Sequence, residues 1–195
     1  MKKHLKKQPK NSILNLKKTE ILEPLKFADV FFSVSTLPAH LKTLRKWRDD
    51  VALGTDKTKG FNPANLLYDH ELTVKLLEAA WLLKKMNPGK LNIDKESPKV
   101  SKWYFRTEQK KLKHYPKNLK TSEIIKPAKV LKKVFKPFNL TQYREILNTW
   151  LYDATSNNFL EESLSKHEVI TVYEQLVRLF EAMWLINSRK ETIND

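Results

Sequence analysis

Six carboxylates stand in matched positions along this 195-residue chain: Asp50, Glu71 and Glu78 in the first half, and Asp153, Glu174 and Glu181 each 103 residues later. Helical bundles hold metal ions with inward-facing carboxylates on neighbouring helices, because charged oxygens are good ligands for hard cations. A carboxylate metal site, and with it metal-dependent hydrolysis, is one chemistry these residues allow. The ferritin-like arrangement also needs Glu-x-x-His on facing helices, and neither half has it. His70 directly precedes Glu71, and Tyr173 stands at the matching place in the second half. The expected role of the acids is therefore structural, capping or pairing with basic groups at the edge of an apolar face. No metal ligand is assigned.

A second set of residues suits a different chemistry. Residues 84–136 carry 17 Lys or Arg against 4 Asp or Glu, and residues 1–18 carry 7 against none, so these two stretches account for the whole net charge of +15. Within the middle stretch, Trp103, Tyr104, Phe105 and Tyr115 lie among Lys99, Lys102, Arg106, Lys110, Lys111, Lys113 and Lys117. Lysines displace counterions from phosphates, and aromatic faces stack on unpaired bases. The candidate polyanion-binding residues are Lys99, Lys102, Trp103, Tyr104, Arg106, Lys110, Lys111, Lys113 and Lys117. Against that reading, 31 lysines outnumber 6 arginines, and arginine is the residue suited to bidentate phosphate recognition. The same aromatics would also serve as an apolar plug fastening a basic strap to the helices, with lysine stems lying around it.

Other reactive constellations are missing. The sequence contains no glycine-rich phosphate loop, no G-x-S-x-G elbow and no His-Glu-x-x-His,. Cysteine is absent, which removes disulfides, thiolate metal sites and cysteine nucleophiles together,. None of His4, His40, His70, His114 and His167 is matched by a second histidine 103 residues away. The expectation is a non-enzymatic, cofactor-free interaction or structural module whose partner is another protein or a second copy. Nucleic-acid or other polyanion binding is the alternative, and a carboxylate metalloenzyme the third. No run approaches the roughly 18 apolar residues of a membrane span, so no membrane partner is expected and the cytoplasm is the default location.

The elements that must position these groups are written twice. Residues 15–83 laid over 118–186 are identical at 19 of 69 positions, against roughly five expected from composition. The pattern N-L-K-x-x-E-I-x-x-P-x-K occurs from Asn15 and again from Asn118, and Trp47 and Trp81 recur as Trp150 and Trp184. Each half reads as three helices. Pro24 and Pro127 suit an opening helical turn, where a missing N–H is harmless, and those helices should run to about Ser33 and Lys136. Leu37, Leu41, Leu44, Trp47 and Val51 share one helical face, as do Leu140, Tyr143, Leu147, Trp150 and Ala154. These second helices should stop near Gly54 and Ser156. The third helix opens at Asn62-Pro63 or at the Ser165 capping box and runs to about Lys84 or Asn187. Its apolar stripe is Leu66, Leu67, Val74, Leu77, Ala80 and Trp81, answered by Val169, Ile170, Val177, Phe180, Met183 and Trp184.

The predicted fold is all-α: two tandem three-helix repeats, offset by 103, packed as a pseudo-twofold bundle and joined by a basic connector. Two separate small bundles on a linker are the alternative. The segments are a basic tail (1–18), repeat 1 (19–86), the connector (87–117), repeat 2 (118–187) and a polar tail (188–195). Trp47, Trp150, Trp81 and Trp184 are expected to be core anchors.

Overall fold

The computed structural model describes residues 11–53, 62–86, 106–155 and 164–193. Every regular element among them is a helix: α1 (Lys18–Leu22), α2 (Pro24–Val34), α3 (Leu37–Leu53), α4 (Pro63–Lys85), α5 (106–111), α6 (Thr121–Ile125), α7 (Ala128–Val134), α8 (Leu140–Thr155) and α9 (Lys166–Ile193). Local sequence accounts for several starts. Pro24 and Pro63 occupy first-turn positions. The Asn62 side chain accepts from the Ala64 N–H at 2.9 Å, and Ser165 and Glu168 exchange hydrogen bonds across the first turn of α9. Both devices satisfy orphan donors at a helix start.

Three elements were not expected: α1, α6 and, within the connector, α5. The duplicated N-L-K-x-x-E-I motif makes a short helix in each half, because the Lys17 N–H donates to Glu20 Oε2 at 2.7 Å and the Lys120 N–H to Glu123 Oε2 at 3.1 Å. The helix after Pro127 ends at Val134, earlier than Lys136. Pro137 follows Lys136, and the residue before a proline is driven out of the helical region. At the other end α9 continues past Asn187 to Ile193, with Ser188 and Arg189 buried. The expected stops at Gly54 and Ser156 lie outside the described residues.

The two longest helices form the centre. α4 packs against α2, α7 and α8; α9 packs against α7, α2 and α3; and α3 meets α8. Surrounded in this way, α4 is buried nearly all round its middle turns, from Leu72 to Ala80 with Lys75 half-buried, so its apolar pattern is not one stripe. Departures fall at both ends: Leu67 and Ile170 are exposed, and Trp81 and Trp184, expected as core anchors, are only partly buried. One cluster of buried side chains runs from Leu16 through Trp47, Leu76 and Trp150 to Ile186. That continuity sets aside two separate bundles on a linker.

Aromatic contacts mark where the halves meet. Trp47 and Trp150 stand edge to face with ring centroids 5.5 Å apart, and the Trp47 indole N–H donates to the Trp150 carbonyl at 3.2 Å. Phe32 of α2 packs on Trp184 of α9 at 5.1 Å, and Phe135, just after α7, on Trp81 of α4 at 5.0 Å. Offset and edge-on ring pairs of this kind add to the burial of their area.

Candidate functional site

The duplicated acids separate into two kinds. Glu78 and Glu181 are fully buried, whereas Glu71 and Glu174 are exposed. Glu78 receives the backbone N–H groups of Leu14, Asn15 and Leu16 at 2.9–3.1 Å and the Asn15 side-chain amide at 2.8 Å. Arg144 of α8 completes the set with an ion pair at 2.8 Å and a further bond to the Ser12 carbonyl. Glu181 receives the backbone N–H groups of Lys117 and Asn118 at 2.9 and 2.8 Å and the Asn118 amide at 2.8 Å. A buried carboxylate needs partners of this sort for its lone pairs. Each glutamate thus clamps the extended segment that precedes α1 or α6. Among the described residues no group of three or more His, Asp or Glu is placed to hold a metal ion. Asp50 and Asp153 are half-buried near the ends of α3 and α8.

The duplicated tryptophans divide similarly. Trp47 and Trp150 are buried to within 1% of their surface, while Trp81 and Trp184 are partly exposed. Lys84 lies over the Trp81 ring at 3.6 Å. Burial, and then the neighbouring Lys85 charge, lower the Lys84 pKa. His40 stacks on Phe31 at 4.0 Å and bonds the Phe31 carbonyl through Nε2. Tyr143, 103 residues on, donates its hydroxyl to the Val134 carbonyl at 2.7 Å. Burial pushes the His40 imidazole below its ordinary pKa and the Tyr143 phenol above,.

Besides the Lys117 bond to Glu181, an ion pair fastens the described part of the connector to α9. Glu108, itself buried, forms a two-pronged pair with Arg189 of α9: Nε to Oε1 at 2.8 Å and a second nitrogen to Oε2 at 3.0 Å. The third guanidinium nitrogen donates to the Ile124 carbonyl at 2.8 Å, and the Tyr115 hydroxyl to Glu108 at 3.1 Å. With its acid turned inward, this stretch presents its cations outward: Arg106, Lys110, Lys111, Lys113 and Lys117 are all exposed. Lys99, Lys102, Trp103 and Tyr104 lie outside the described residues.

Between the connector and α3 runs an open groove of about 620 Å³, walled by Leu37, Leu41, Lys42 and Arg45 on one side and Lys113 and His114 on the other, with Glu181 also lining it. A smaller hollow of about 380 Å³ shares Leu41, Arg45 and Asn118 with it and reaches Tyr173 and Arg178 of α9. Lys42, Arg45 and Lys113 are exposed. Arg178 pairs with the buried Glu123 at 2.5 Å, and Lys133 joins that carboxylate at 2.8 Å. Burial tends to raise the Glu123 pKa, but Lys133, the Lys120 N–H and the Arg178 charge outweigh it and hold the group below the ordinary glutamate value. Sequence reasoning missed Lys42, Arg45, Glu108, Arg144 and Arg189. For the three arginines the one signal was scarcity: with so few in a lysine-rich chain, each was a candidate for multi-pronged bonding that lysine cannot make. Lys42 and Glu108 carried no such signal.

No protein-family model, no curated protein and no solved structure matches the chain.

Proposed function

We propose that the protein is a non-enzymatic binding scaffold that holds a basic connector in place as the contact surface for a polyanion. The carrying observation is the Glu108–Arg189 clip, which takes the acid of residues 106–117 into the body and leaves Arg106, Lys110, Lys111, Lys113 and Lys117 at the surface. A lysine strip fixed on a folded body keeps its charges together, and phosphates bound to it release counterions. The scaffold itself is read as two copies of one helical unit meeting about an approximate twofold axis. Supporting that reading, α1, α3 and α4 begin 103 residues before α6, α8 and α9, and the Glu78 and Glu181 clamps, the Phe32–Trp184 and Phe135–Trp81 contacts and the Trp47–Trp150 pair are related by the same offset.

The test is anisotropy of labelled oligonucleotides titrated with protein between about 20 and 200 mM salt. The scaffold reading expects affinity to fall linearly on a log–log plot, by roughly 0.7 to 0.9 log units per decade of salt for each phosphate engaged. Absence of binding at the lowest salt, or binding indifferent to salt, overturns it.

A second reading, binding of a protein partner or a second copy, has one observation in its favour. Leu22 is 75% exposed, and Val30 and Val34, one helical turn apart on α2, are each 45% exposed,. Sedimentation of wild type and Val30→Lys tests it. A concentration-dependent dimer that the substitution abolishes supports that face, and a monomer at all concentrations removes self-association through it.

A further inference from the structure

We propose that the groove between α3 and the connector seats a single-stranded nucleic acid, with Lys42, Arg45 and Lys113 taking its phosphates. The inference rests on the polyanion reading above and names the site and the ligand class within it.

Three observations converge on this groove. The first is a broken equivalence. Arg144 closes the space beside Glu78, bonding both that carboxylate and the Ser12 carbonyl, while Asn11 bonds to the first turn of α8 through Leu140 N and Thr141 Oγ1. Leu41 stands 103 residues before Arg144, and its side chain cannot make those bonds. The space beside Glu181 is accordingly an open groove lined by Leu41, of a size within the usual range for ligand sites, roughly 300–1,000 Å³.

The second observation is charge on both walls. Lys42 and Arg45 come from α3, Lys113 and Lys117 from the connector, and all four are exposed. Arg178 lines the adjoining hollow but is taken up by its ion pair with Glu123. Against the four exposed cations stand two carboxylates: Glu181, held by the neutral N–H donors of Lys117 and Asn118, and Glu174 in the adjoining hollow. The groove is left net positive. Cations from two separate elements, facing across a channel, suit a strand whose phosphates repeat along its length.

The third observation separates an unpaired strand from other polyanions. His114 lines the groove and Tyr173 the adjoining hollow, and Arg48 lies 4.3 Å over the Tyr173 ring, fixing it from one side. Flat side chains beside a cationic track are what unpaired bases stack on. A duplex keeps its bases in the stack and offers these rings only backbone. A purely acidic chain such as poly-glutamate would answer the cations but has no flat group for the rings.

The experiment compares a labelled oligouridylate, a duplex of equal charge and labelled poly-glutamate on the full chain, with Leu41→Arg, Arg45→Glu and Lys132→Glu as variants. Leu41→Arg is the decisive substitution. It adds a positive charge, so a general electrostatic surface would bind as tightly or more so, whereas a guanidinium filling the groove as Arg144 fills its counterpart should weaken the single strand about tenfold, some 1.4 kcal/mol. Arg45→Glu, on an exposed helix face and therefore indifferent to folding, should weaken it similarly and lower the salt slope by about 0.7 for each lost phosphate contact. If Leu41→Arg does not fold, Arg45→Glu alone decides. Lys132→Glu, exposed on α7 and outside the groove, should shift affinity less than twofold. Equal losses from Arg45→Glu and Lys132→Glu, or no loss from Leu41→Arg, overturn the groove while leaving polyanion binding intact. Tighter binding of the duplex or of poly-glutamate than of the single strand overturns the ligand class. Failure of all three probes at low salt overturns the polyanion reading itself.

Discussion

Glu78 and Glu181 occupy equivalent places in the sequence and carry unequal loads. Truncating Glu78 to alanine strips three backbone N–H groups of their acceptor and leaves Arg144 partly buried without its carboxylate. An orphaned buried charge of that kind costs about 3–5 kcal/mol. Glu181→Ala removes the acceptor of two backbone N–H groups and one amide, for which about 1–3 kcal/mol is the expected loss. Urea midpoints should therefore rank wild type above Glu181→Ala above Glu78→Ala, and the reverse order of the two variants would contradict the clamp description. A second residue-level prediction concerns pH. Burial depresses the His40 pKa against the Phe31 hydrogen bond, so the unfolded chain takes up this proton more readily than the folded one. The contribution is fully present above the ordinary value of 6.5 and declines as pH falls below it, down to the depressed folded value,. His70 moves in the same direction, chiefly through burial. Replacing His40 with tyrosine, the residue found 103 positions on, should flatten the fall in stability between about pH 7 and 5 without abolishing it. An unchanged slope would show that His40 does not contribute.

At the scale of elements, the long helices were legible and the fasteners between them were not. Apolar spacing finds α3, α4, α8 and α9, and start signals place the openings of α4 and α9, because those signals are local,. The end of α9 at Ile193, six residues beyond Asn187, was missed. The burial of Glu78 and Glu181 could not be read from the helix wheel. It depends on the extended segments before α1 and α6 folding back along α4 and α9, over 60 residues away in sequence. The connector shows the same limit. Its cations were plain, but the bond that fixes it joins Glu108 to a residue 81 positions later, on a stretch of α9 expected to be tail. This clip makes its own prediction. Arg189→Met should leave Glu108 buried without its cation, at a cost of about 3–5 kcal/mol. Amide exchange should quicken in residues 106–118 while the middle of α4 stays protected. Equal protection of that segment in wild type and variant would mean that Arg189 does not hold it.

Across the whole molecule, the halves share one core and differ in what they expose. The buried contacts that repeat at the 103-residue offset maintain a scaffold: indoles at the α3–α8 crossing, phenyl rings on the long helices, a carboxylate over each entering segment. What is not repeated is the basic connector, the extra length of α9 that grips it, and the substitution of Leu41 for Arg144 that leaves a groove open. On the proposed reading, binding belongs to this unrepeated strip and not to the positive charge of the chain at large. The most direct measurement is the affinity for a labelled single strand, at one fixed low salt, of two charge-matched triple variants. One reverses Lys110, Lys111 and Lys113 to glutamate on the connector; the other reverses Lys129, Lys132 and Lys136 in and after α7, which are equally exposed. The scaffold reading predicts a loss of about a hundredfold or more, some 2.7 kcal/mol, for the connector variant and only a fewfold change for the other. Equal losses in the two would contradict it.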